Sequence, residues 1–332
     1  MNYLIGLLLL GCETKVTSSV EKDTYVEETV EDTAVEEVVE ETEEQEEQET
    51  GEIEEPVEED TGEIDSITDF LQRGPYEVTE ESKSAQVTNC TNQPYSVYTP
   101  VGVSSPPVVV LGHGFARGAD TMTGWADHLA SWGVEVLLPT LCHYNVFAGV
   151  DHEMNGQNMK ELAILHGATN VVYAGHSAGG LAAVIAASQD PNASGVLGLD
   201  ATDTQGIPGV PDVIGQSYAG NVTCPAFSIV GEASTCNADN NGLDLFSMMG
   251  EYQVAKVVDA DHCDFESPTD WICESQCENA QTTFTNEEIR PVIVTLGTAA
   301  VMSLTGLSAD GALVWTQGLE DWANLGLVQI IE

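Results

Sequence analysis

The chain has 332 residues, of which 55 are acidic and only 8 basic, giving a formal net charge of −47. A surface this negative repels phosphodiester backbones and anionic bilayers, which excludes nucleic-acid binding. The length accommodates one large domain with appendages, and a hydrophobic fraction of 42% supplies a sizeable core.

In chain order, residues 1–11 form a short apolar run that ends at Gly11 before Cys12. It is too short to span a bilayer and suits an export signal. Leu9, Leu10, Gly11, Cys12 resembles the lipobox of bacterial lipoproteins, and that resemblance implies cleavage before Cys12, acylation of Cys12 and a cell-envelope or secreted location. Any membrane contact would then run through this anchor alone. Residues 12–65 are dominated by Glu, Thr and Val, with 24 acidic residues against Lys15 and Lys22. Self-repulsion and the scarcity of aromatic residues predict a disordered tether there. A folded domain is expected over 66–332.

Within that domain, short apolar runs bounded by Gly and Pro alternate with longer amphipathic stretches. Strands are expected at 108–111, 134–139, 170–174, 195–200, 225–230 and 253–258, with helices at 121–132, 156–166 and 179–188 between them. Two further helices are expected at 286–305 and 310–325. Strands apolar on both faces predict an α/β fold, with a mostly parallel central sheet and helices on both faces.

One strand, Asn170 to Ala174, runs directly into Gly175, His176, Ser177, Ala178, Gly179, Gly180 and then a helix of small residues. That is the nucleophile elbow in its required strand and helix context, with tiny residues two before and two after Ser177. A second strand ends in Gly112, His113, Gly114, Phe115, the His-Gly turn that α/β-hydrolases use for an oxyanion hole. The backbone amides of Phe115 and Ala178 are the expected donors, and His113 itself is expected to be structural. Six histidines, His113, His128, His143, His152, His166 and His176, precede Ser177, so His262 is the one histidine placed to act as late general base. Three carboxylates end strands and could orient it: Asp200, Asp203 and Glu232.

The segments 108–120, 151–180, 196–204 and 229–264 resemble the chlorophyllase and dienelactone-hydrolase-like branch of the α/β-hydrolases, with polyester hydrolases and cutinases as relatives. That resemblance spans roughly 100–305. It implies Asp200, in Gly198, Leu199, Asp200, as the triad acid. Ala201 and Thr202 replace the usual Pro-Val, which keeps Asp203 in play, and the polyester-hydrolase pattern keeps Glu232. The implied activity is a serine carboxylic-ester hydrolase acting on a small or polymeric ester through Ser177, His262 and Asp200, without metal or organic cofactor. A lipase-like or polyester-hydrolase-like enzyme, an acyltransferase and a catalytically silent surface lipoprotein are the other readings. Phe115, Trp125, Tyr144 and Phe147 are candidate pocket residues.

Beyond Cys12, the chain carries Cys90, Cys142, Cys224, Cys236, Cys263, Cys273 and Cys277. In an exported protein these predict disulfides with one thiol left over, and no spacing suits zinc. Cys263 is expected to pair either with Cys236, pinning the histidine loop, or with Cys273 or Cys277.

Overall fold

The computed structural model describes residues 68–145, 149–204, 206, 211–277 and 282–331. All of them fall in one compact unit, Glu63–Glu332. The export signal, Cys12, the tether and Phe147 lie outside the described residues.

The chain opens with a long hairpin, β1 (Val78–Val87) and β2 (Cys90–Pro100), followed by β3 (Val108–Gly112), α1 (Thr123–Ser131) and β4 (Glu135–Pro139). A small hairpin, β5 (Tyr144–Asn145) with β6 (Gly149–Val150), precedes α2 (His152–His166). Then come β7 (Val171–His176), α3 (Ala178–Ala187), β8 (Ala193–Leu199), α4 (Gln216–Ala219), β9 (Ala226–Val230), α5 (Gly242–Ser247) and β10 (Tyr252–Val257). The chain ends with α6 (Trp271–Cys277), α7 (Asn286–Thr305), α8 (Asp310–Leu313), α9 (Leu319–Asn324) and β11 (Val328–Ile331).

Nine strands form one sheet in the order β1, β2, β4, β3, β7, β8, β9, β10, β11. The six from β4 to β10 pair in parallel, and β1, β2 and β11 join antiparallel at the edges. This is an α/β architecture with a mostly parallel mixed sheet. Side chains alternate between its two faces, so Val109 and Leu111 of β3 enter one core with α1 and α7, while Val108 and Val110 enter the other with α2 and α3. Every residue of β3, β7 and β9 is buried, which explains their unbroken apolar runs. α7 is long and apolar enough to cross a membrane, but most of it is packed inside the first core.

The hairpin β1–β2 and strand β11 were not expected from the sequence. β1 reads VTEESKSAQV and is mostly exposed, so it carries no apolar run. Its only signal is the turn before Cys90, where Asn89 adopts φ 57°. The helix expected over 310–325 is interrupted by a π-helical stretch, Val314–Gly318.

Three disulfides close the unit: Cys90–Cys142, Cys236–Cys277 and Cys263–Cys273, with Cys224 a buried free thiol. A Cys236–Cys263 bridge is therefore ruled out. α6 presents Cys273 and Cys277 one turn apart, and each takes a different partner. Three disulfides suit an oxidising environment.

Candidate active site

The parallel sheet has one topological switch. β3 leads to β4 on one side, and the chain then crosses to β7 on the other side of β3. Ligands of open α/β sheets bind beyond the carboxyl ends of the strands at such a switch. Gly114 and Phe115 leave β3 there and Ser177 leaves β7 there.

Ser177 is held at φ 55° and ψ −124°, a strained conformation for a residue with a side chain. The glycines around it are demanded by contact. A Cβ on Gly175 would lie 2.3 Å from the Gly179 carbonyl, and one on Gly179 would lie 2.4 Å from the Gly112 oxygen. The Ser177 amide donates to Leu199 O at 3.0 Å, and its carbonyl accepts from Thr202 at 3.1 Å, so β8 braces the turn. Neither the Phe115 nor the Ala178 amide has a backbone acceptor among the described residues. Both residues line the same cavity as Ser177 and His262, a space of about 340 Å³.

His262 begins the short 3₁₀ turn His262–Phe265 after β10. Its Nδ1 donates to Asp200 Oδ2 at 2.6 Å, with both side chains buried. With Nδ1 as donor, Nε2 is the ring nitrogen left facing away from Asp200. Asp200 sits at φ 44° just past β8 and is itself oriented, since Oδ1 accepts from Gly231 N at 3.0 Å and Oδ2 from Asn237 Nδ2 at 3.1 Å. Asn237 also donates to Glu232 O at 2.8 Å, and is fully buried. No hydrogen bond links Ser177 Oγ to His262 among the described residues.

No family model and no curated protein matches this chain. The geometry therefore stands by itself. Among the described residues neither of the other two candidate acids bonds His262, although Asp203 lines the cavity. Asp203 Oδ1 accepts from Thr204 N at 2.7 Å and Gly215 N at 3.0 Å, and burial raises its pKa. Glu232 pairs with Lys256 at 2.6 Å and accepts from Asp259 N at 3.3 Å.

Of the candidate pocket residues, Phe115 lines the cavity. Trp125 does not: α1 turns it into the core, where it is 2% exposed, its Nε1 donates to Phe265 O at 2.9 Å, and its ring covers Gly297. Tyr144 is also outside the lining. Its ring packs edge-on against His113 at 5.4 Å and its carbonyl accepts from Ala116 N at 2.7 Å, so it braces the turn after β3 from behind. His113 is fully buried, donating from Nδ1 to Gly114 O and accepting Leu141 N at Nε2, each at 2.9 Å. Burial lowers its pKa to about 4.

Several residues around the site were not singled out by sequence: Asn237, His152, Arg117 and Glu266. His152 lines the cavity, its ring edge-on to Phe115, and burial lowers its pKa to about 4. Arg117 carried the one legible hint, since it is the only arginine between Arg73 and Arg290 in a strongly acidic domain. The cluster Cys263, Cys273 and Cys277 brings three sulfurs within 4.8 Å, but all are disulfide-bonded and offer no thiolate to a metal.

Proposed function

We propose that this chain is a serine carboxylic-ester hydrolase of the α/β-hydrolase fold, with Ser177 as nucleophile, His262 as general base and acid, and Asp200 as the residue that orients His262. The observation that carries the reading is the 2.6 Å bond from His262 Nδ1 to the buried Asp200, with His262 lining the same cavity as the strained Ser177. In this mechanism His262 Nε2 takes the Ser177 proton as Oγ attacks the ester carbonyl. The Phe115 and Ala178 amides stabilise the oxyanion, and the protonated His262 then donates to the departing alkoxide. Water, activated by the same imidazole, releases the acid.

The wall favours an uncharged ester. Arg117 is the one permanent cation among the described lining residues, and Glu266 and Asp270 occupy it. No free positive group then awaits a carboxylate on the substrate. Export fits the disulfides, and the anchor at Cys12 remains part of the same proposal.

Burst release of p-nitrophenol from a short p-nitrophenyl ester tests the reading. The wild type should give a burst near one equivalent and Ser177→Ala none. Equal rates from the two proteins would reject it.

A further inference from the structure

The proposed chemistry requires two turns from distant parts of the chain to stand at a fixed spacing: the oxyanion turn after β3 and the histidine turn after β10. Arg117 lies two residues beyond Phe115 on the first, and Glu266 lies four residues beyond His262 on the second. Arg117 Nε donates to Glu266 Oε1 at 2.6 Å and Nη2 donates to Oε2 at 2.7 Å, a two-pronged fork. The same Nη2 is 2.9 Å from Asp270 Oδ1. The Glu266 side chain is fully buried and that of Arg117 is 12% exposed. Hydrogen bonding to Glu266 raises the Arg117 pKa further above its ordinary value.

His176 fills the space between the turns. Its Nε2 donates to the backbone oxygen of His262 at 2.9 Å, its ring lies 4.5 Å from the His262 ring, and its Nδ1 faces Glu266 Oε1 at 3.8 Å without a hydrogen bond. Burial holds its pKa well below the usual histidine value, so it stays neutral. Gly114 closes the junction, because a Cβ there would come within 3.2 Å of His176 Nδ1 and 3.3 Å of both Arg117 Cγ and Ser177 Cβ. Nucleophile, spacer and arginine thus pack around one glycine.

Stability alone does not account for this arrangement. A buried ion pair gains little over well-packed apolar residues of the same volume, because desolvation offsets the Coulomb attraction. What a bidentate guanidinium–carboxylate fork adds is a fixed distance and orientation, which apolar contacts and a lysine do not supply. Reaction geometry is sensitive on that scale, since misplacement by about 1 Å can cost about 100-fold in rate.

We propose that the clamp of Arg117 on Glu266 and Asp270, with His176 as spacer, is the positioning device of this site, setting the distance between the Phe115 amide and the His262 imidazole. The proposal rests on the hydrolase reading above. Its test is kcat and KM for p-nitrophenyl butyrate, with thermal melting, for the wild type, Arg117→Lys, Glu266→Gln and Asp270→Asn. Arg117→Lys keeps the charge and loses the fork, so kcat should fall about 10- to 100-fold with KM within about twofold. Glu266→Gln should do the same. Asp270 is partly exposed, and Asp270→Asn should melt with the wild type yet lose about threefold in kcat.

A folded Arg117→Lys protein with wild-type kcat, or a loss confined to KM, overturns the clamp. Should that variant fail to fold, the kcat of Asp270→Asn decides by the same criterion. A wild type that hydrolyses no ester overturns the hydrolase reading and the clamp with it, whereas an active wild type matched by its variants overturns the clamp alone.

Discussion

The elbow around Ser177 and the turn around His262 face the same cavity, yet the first is held by backbone sterics and the second by side-chain bonds reaching in from distant segments. At the elbow, Gly175, Gly179 and Gly112 touch main chain to main chain, and at Gly175 and Gly179 no side chain larger than hydrogen fits. At the histidine turn, Asp200 fixes the imidazole, His176 holds the His262 carbonyl, Trp125 holds the Phe265 carbonyl, and Cys273 bonds to Cys263. The elbow, braced by β8 and packed on Gly112, has little freedom to drift. The histidine turn closes its own cap between Asp261 and Asp264, but its imidazole takes its position from partners elsewhere in the sequence, so each of those partners is a separate test of the proposed activity.

The largest expected effect lies on the histidine side. Asp200→Asn should lower kcat about ten-thousand-fold while the protein stays folded, because the imidazole loses the acceptor that fixes its tautomer. Steady-state kinetics beside a circular dichroism melt checks this, and Asp203→Asn or Glu232→Gln producing the same loss would move the acid elsewhere. On the elbow side the damage should appear in folding. Gly179→Ala drives a methyl into the Gly112 and His113 carbonyls, at 2.4 and 2.6 Å, and should destabilise by about 4 kcal/mol or more in urea titration.

Acid should loosen the fold around the site, where burial also holds His176 well below its ordinary value. His113 and His152 sit near 4 in the fold against an ordinary value of 6.5. Between those values the unfolded chain binds more protons, so stability rises with pH and falls on acidification through that window. Moving from pH 7 to pH 5 should cost roughly 2 kcal/mol for each of the two. A melting temperature that is flat from pH 7 to pH 5 would show that these imidazoles are not buried as neutral groups. The smallest effect on kcat is expected at Asn237, whose amide steers Asp200 while also bonding Glu232 O, Ser234 N and Asn240 N. Asn237→Ala should lower kcat about tenfold without changing KM. A change in KM alone would assign Asn237 to substrate binding instead.

The same contrast explains what could be read before folding. The elbow was legible because its constraint is short-range: strand, Gly175, Ser177, Gly179 and helix are contiguous, and sterics dictate the residue types. The six parallel strands were legible for a related reason, since strands buried on both faces must be apolar throughout. The polar hairpin β1–β2 escaped because its exposed face hides the alternation. Apart from Asp200, which the family resemblance implied, the residues around His262 were not legible, because Asn237 reaches Asp200 across 37 residues and Arg117 reaches Glu266 across 149. Trp125 and Tyr144 misled for the opposite reason. Aromatic residues near a sheet edge serve core and pocket alike, and only the rotation of α1 and the placement of the turn carrying Tyr144 decide between them. The cysteine pairing likewise depended on which face of α6 meets the histidine turn.

The central claim is that Ser177 is a nucleophile activated by His262. Its most direct measurement is intact mass spectrometry after brief exposure to a fluorophosphonate, followed by peptide mapping. One adduct per chain is expected, on Ser177, formed at a rate that collapses in His262→Ala. An unmodified chain, an adduct on another residue, or labelling indifferent to His262 would contradict it.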